Sequence, residues 1–159
     1  IGHSIELPAY IPDNVVQTFY STREYVADNN LGDRLLVYIE QIILHRKRRV
    51  AALSATGYVY ASIDEAVSTA ECMILFLPKE KISSRLVRFL HYGNIALRFI
   101  DDHYDIEQDY DDGKMSFVPD TKMKSSIKKI IIKYSWKCFL LYPKKIKVLG
   151  TLLKLIIKP

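Results

Sequence analysis

Apolar residues recur at helical spacing along most of this chain, and alternation with a period of two is scarce. Asp13 or Asn14, just after Pro12, would cap a helix running through Val15 to Tyr20. Asn29-Asn30-Leu31-Gly32-Asp33 breaks it. The next helix, Arg34 to Arg49, sets Leu35, Tyr38, Ile39, Ile42 and Ile43 on one face. It closes on the basic run His45-Arg46-Lys47-Arg48-Arg49, which reads as a solvated helix end complementing the dipole.

A small-residue-rich helical stretch follows from Val50 to Leu77, stopped by Pro78. Ala51, Ala52, Ala55, Gly57, Ala61, Ala66 and Ala70 would admit a close neighbouring helix, and Gly57-Tyr58-Val59-Tyr60 reads as a kink or a short strand. From Ser83 or Ser84 to about Asp109 the apolar stripe is Leu86, Phe89, Leu90, Gly93, Leu97, Ile100 and Tyr104. Asp111-Asp112-Gly113-Lys114 is a turn signal and Pro119-Asp120 opens another connection. A helix from Lys122 to Leu141, with Trp136, Phe139, Leu140 and Tyr142 as core, and a last helix after Pro143 complete the pattern. Five or six helices predict an all-α bundle, a single domain over residues 1 to 159 with a basic amphipathic tail from 122.

Composition agrees with a globular fold, at 49% hydrophobic and 26% charged over 159 residues. No apolar run reaches the roughly 18 residues of a spanning helix, and no basic segment leads into an apolar signal core. A cytoplasmic protein is therefore expected. Ile1 in place of Met suggests a portion of a longer chain. The net charge of +5 conceals an asymmetry: residues 122 to 159 carry 11 lysines and no acid, leaving 12 Lys and Arg against 18 Asp and Glu elsewhere, a net of −6. Lys128, Lys129, Lys133, Lys137, Lys144, Lys145, Lys147, Lys154 and Lys158, interleaved with Ile, Leu and Trp, form either a solvated face or one that lies on an anionic membrane. No nucleic-acid motif accompanies them. Cys72 and Cys138 form no metal-like pair and read as buried reduced thiols.

The candidate chemistry lies in Phe99-Ile100-Asp101-Asp102-His103-Tyr104-Asp105-Ile106-Glu107-Gln108-Asp109. Asp101, Asp105 and Asp109 fall at i, i+4 and i+8, and like charges at that spacing repel by a few tenths of a kcal/mol per pair. At 100° per residue, Asn94, Arg98, Asp101, Asp105 and Asp109 share a sector of about 80° beside the apolar stripe, not opposite it. Oxygen ligands on one helix suit magnesium, which takes one or two carboxylates and completes its shell with water and phosphate oxygens. The loop glycine of a calcium EF-hand is absent. A plain charged face remains the alternative. His91 and His103 lack a second ligand at i+4, which argues against zinc.

The segment from Tyr92 to Lys114 resembles the second aspartate-rich motif of class I isoprenoid synthases. Asp101, Asp105, Asp109, Gly113 and Lys114 follow the order of the squalene and phytoene synthase branch, and Asp101, Asp102 and Asp105 also satisfy the DDxxD word of trans-prenyltransferases. Ile106-Glu107-Gln108-Asp109 with Gly113-Lys114-Met115-Ser116-Phe117 is similar to the tetraprenyl-beta-curcumene synthase type, and Val118-Pro119 resembles the proline closing the phytoene synthase motif, displaced by one residue. The resemblance implies a helical bundle around an apolar cavity, with two acidic motifs facing each other across its mouth. It further implies magnesium held by Asp101, Asp102, Asp105 and Asp109, catalytic roles for Asp101 and Asp105, and a prenyl diphosphate contacted by Arg98 and Lys114 and ionised for coupling or cyclisation.

The first acidic motif of that family has no clear counterpart. Glu24, Asp28, Asn29, Asn30, Asp33 and Arg34 lie too close in sequence to Asp101, and Ile63-Asp64-Glu65-Ala66 closer still. The expectation is that it lies upstream of Ile1, or that a partner such as a second copy supplies it. Two readings compete: a non-catalytic helical interaction or membrane-surface module, and a dinucleotide-binding fold in which residues 57 to 66 and 73 to 78 form a βαβ half. The latter lacks a glycine-rich phosphate loop.

Overall fold

The computed structural model describes residues 13 to 143, all of whose regular structure is helical. The chain divides into two compact units, residues 1 to 36 and 37 to 159, with the division falling inside a helix. The first unit holds α1 (Asp13–Asp28) and the start of α2 (Gly32–Val50). Between them Asn30 adopts a left-handed φ of 51°, a conformation asparagine tolerates, and Leu31 donates its N–H back to Val26. Glu24, Asp28, Asn29, Asn30, Asp33 and Arg34 are all exposed in this unit.

The second unit is built on α3 (Ala55–Ile74), α4 (Ser84–Asp111) and α5 (Thr121–Leu141), with a 3-10 turn at Lys79–Lys81 between α3 and α4. Each helix starts at a capping side chain: Ser54 accepts from Gly57 N–H, Ser83 from Leu86 N–H and Asp120 from Met123 N–H. The caps explain one difference from the periodicity. Val50 ends α2 and the Ser54 cap starts α3, so residues 51 to 54 are a break, and α3 ends at Ile74, ahead of Pro78. Gly57-Tyr58-Val59-Tyr60 lies within the first two turns of α3, neither kink nor strand, which also removes the βαβ reading. The helix expected after Pro143, with Lys144, Lys145, Lys147, Lys154 and Lys158, lies outside the described residues.

α4 packs against both α3 and α5. It therefore buries two sides, and the face in the core is Ile95, Ala96, Phe99, Asp102 and Ile106, while Leu97 and Tyr104 of the expected stripe are exposed. A single-stripe reading of the pattern picks one face; a central helix needs two. Tyr58, Phe99, Met115, Met123, Ile127 and Ile131 form the shared core. On α5 the buried line of Met123, Ile127 and Ile131 leaves Trp136 and Leu140 pointing outward, contrary to their expected place in the core, while Phe139 and Tyr142 are half-buried. On α2, Ile39 and Ile43 are exposed and only Tyr38 and Ile42 of the expected face in this unit are half-buried. Both cysteines are free and half-buried. Burial raises both thiols, Cys138 to about 11. No helix among the described residues is long and apolar enough to cross a membrane.

Candidate functional site

α3 carries Tyr58, Ser62 and Glu65 at spacings of four and three, so they share one face, and that face is buried against α4. Opposite them Asp102 is almost wholly inside. Its Oδ1 accepts from Tyr58 Oη at 2.9 Å and from Arg98 one turn earlier on α4, and its Oδ2 lies 3.5 Å from Ser62 Oγ. Arg49, the last residue of the basic run on α2, is buried too. It donates from Nε to Glu65 Oε2 at 2.9 Å and from Nη1 to Tyr58 Oη at 3.0 Å, with Nη1 3.9 Å from Asp102 Oδ1. Two guanidinium cations thus meet two carboxylates around one phenol. Such a group is tolerable inside a protein because every charge has a partner.

The environment shifts these groups in consistent directions. Burial pushes Tyr58 up to about 12, helped by the adjacent Asp102 charge. Burial likewise raises the Asp102 carboxyl, although Arg98, Arg49 and the Tyr58 hydroxyl pull it down. For Arg98, burial works against the cation but Asp102 outweighs it and holds the guanidinium above its ordinary value. Arg49 is also raised: burial and Arg98 oppose its charge, and Tyr58 and Glu65 overcome them.

Beside this buried group, the outer edge of α4 presents the carboxylates of the acidic stripe. Asp101 and Asp105 are exposed one turn apart; Asp101 pairs with Arg98 Nη1 at 3.1 Å, and Asp105 has no partner among the described residues. Asp109 is half-buried, and Lys114 Nζ stands 3.2 Å from it and 2.9 Å from Asp112. The turn places Lys114 there. Gly113 takes a φ of 68°, its N–H reaches Tyr110 C=O and the Lys114 N–H reaches Asp109 C=O, a complete Schellman closure that folds the chain back over the end of α4.

The six residues singled out from the sequence therefore separate. Asp101, Asp105 and Arg98 share the outer edge, Asp109 and Lys114 pair at the helix end, and Asp102 turns inward. Among the described residues no three His, Cys, Asp or Glu side chains converge into a metal-binding group. What fits magnesium is a two-carboxylate donor set, Asp101 and Asp105, of hard oxygens open to water and phosphate. His91 is held by Glu71 at 2.6 Å, joining α4 to α3.

Arg49, Tyr58, Ser62 and Glu65 were not legible as a group. The signal was the polar line Tyr58-Ser62-Glu65 among the small residues Ala61, Ala66 and Ala70, where a close-packed helix face should be apolar. Comparison with protein-family models, curated proteins and solved structures finds no match for this chain.

Proposed function

We propose that this chain is a magnesium-dependent, prenyl diphosphate-binding protein of the class I isoprenoid synthase type, with Asp101 and Asp105 as the metal-facing carboxylates. The observation that carries the reading is the Asp101–Asp105 edge of α4: two exposed carboxylates one turn apart, one without a partner, with the cations Arg98 and Lys114 toward either end. Arg98 compensates Asp101, whereas Asp105 stands one turn away with no partner among the described residues, and like charges at this spacing repel.

In this reading Asp101 and Asp105 would hold the metal, which would supply positive charge to offset that of a bound diphosphate. Asp101 and Asp105 orient the site. Arg98 bridges it to the interior through its bonds to Asp101 and Asp102, so the buried Tyr58–Asp102–Arg49 group positions the edge without touching a ligand. Lys114, exposed at the end of α4, would be the second cation to meet phosphate oxygens.

The test is calorimetric. A non-hydrolysable farnesyl diphosphate analogue is titrated into the chain with magnesium and with EDTA. Binding is expected only with magnesium and is expected to fall at least tenfold in Asp101→Asn and Asp105→Asn. Binding indifferent to magnesium or to both substitutions overturns the proposal.

A further inference from the structure

α5 turns a second organised surface to solvent. Ile132, Trp136 and Leu140 fall at i, i+4 and i+8 and are 54%, 56% and 62% exposed, directly opposite the buried line of Met123, Ile127 and Ile131. Around them stand Lys128, Lys129 and Lys133, all exposed, and the half-buried Lys137, and the whole of α5 contains no Asp or Glu. On one flank the ammonium groups lie over aromatic rings, with Lys137 Nζ 4.7 Å from the Tyr92 centroid and 5.0 Å from that of Tyr134, and Lys133 Nζ 5.6 Å from that of Tyr134.

The face is held in a fixed orientation. Arg85, near the start of α4, donates from Nε to Leu141 C=O at 2.6 Å and stacks over Tyr142 at 4.8 Å, and Cys138 Sγ reaches Phe89 C=O, so the end of α5 is tied to the beginning of α4.

We infer that this face of α5 lies on an anionic membrane, with Ile132, Trp136 and Leu140 entering the headgroup–acyl boundary and the lysines meeting acidic lipid headgroups. Charge complementarity chooses the occupant. An apolar line with Lys129 on it, Lys133 and Lys137 along one flank and Lys128 on the other, and no acid among them, matches a surface that is negative outside and apolar just beneath. A nucleic acid would use the lysines and leave two aliphatic side chains in water. Tryptophan at the centre of the line suits the interface, where its ring is buried and its N–H stays wet. Nothing in this contact depends on Asp101 or Asp105.

The chain contains one tryptophan, so Trp136 reports on the proposed contact without labelling. The full chain is titrated with phosphatidylcholine vesicles and with vesicles of phosphatidylcholine and phosphatidylserine at 7:3, following Trp136 emission and co-sedimentation. A blue shift and sedimentation with the anionic vesicles alone, weakening as salt rises, are expected. Each lysine near the lipid is worth about fivefold in partitioning, so Lys129→Gln with Lys133→Gln should weaken it on the order of 25-fold. Trp136→Ala should weaken sedimentation with helical content unchanged.

Binding unaltered by these substitutions would put the contact elsewhere and overturn the inference. So would equal binding to neutral vesicles, a response to polyuridylate but not to vesicles, or a Trp136 already buried by self-association in the absence of lipid.

Discussion

An ionised carboxylate inside a helical bundle is costly unless its oxygens are bonded, and Asp102 accepts from Tyr58 and Arg98 with Ser62 and Arg49 close by. Removing it leaves the buried Arg49 with Glu65 and Tyr58, and the half-buried Arg98 with Asp101 as its carboxylate. Asp102→Ala is therefore expected to lose about 3–5 kcal/mol in denaturant unfolding, whereas Arg98→Met combined with Asp102→Leu should recover much of that loss. A small effect of Asp102→Ala would mean that water reaches the group. Tyr58 gives a pH signature. Its folded value of about 12 lies above its ordinary 10.0, so the folded chain holds the phenolic proton more tightly than the unfolded one. That contribution, on the order of 2–3 kcal/mol, is complete below pH 10 and disappears as pH rises through about 12. Alkaline unfolding should show it, and Tyr58→Phe should lack it. At this scale the sequence was least legible: Asp101 and Asp102 are chemically identical neighbours, and only the packing of α3 decides which one turns inward.

Elements were easier to read than their faces. Ser83 and Asp120 are strong capping signals, and α4 and α5 begin directly after them. The Ser54 cap was masked by the surrounding run of alanines and leucine, so α2 and α3 were not separated at the right place. Faces were harder because α4 lies between two helices, and a hydrophobic stripe does not announce how many neighbours will cover it. The end of α4 was legible in Asp112-Gly113-Lys114. An added Cβ at Gly113 meets nothing within 4 Å, so Gly113→Ala is opposed only by the left-handed backbone. Its expected cost is about 1–2 kcal/mol in thermal or denaturant unfolding. A neutral substitution would show that the Schellman closure does not hold in solution.

At the scale of the whole molecule, the all-α class followed from periodicity, and the absence of strands among the described residues agrees with it. Among the described residues, part of the charge asymmetry has a physical location: Asp101 and Asp105 on the edge of α4, and Lys128, Lys129 and Lys133 exposed on α5. The central claim is that the edge of α4 takes a divalent cation together with a diphosphate. Paramagnetic relaxation tests it most directly, with manganese in place of magnesium, inorganic pyrophosphate added, and the backbone amides of the full chain observed by NMR. Broadening should centre on residues 98 to 109, require pyrophosphate, and vanish in the Asp101→Asn, Asp105→Asn double variant. Broadening centred on residues 24 to 34, or none at all under those conditions, would contradict the account.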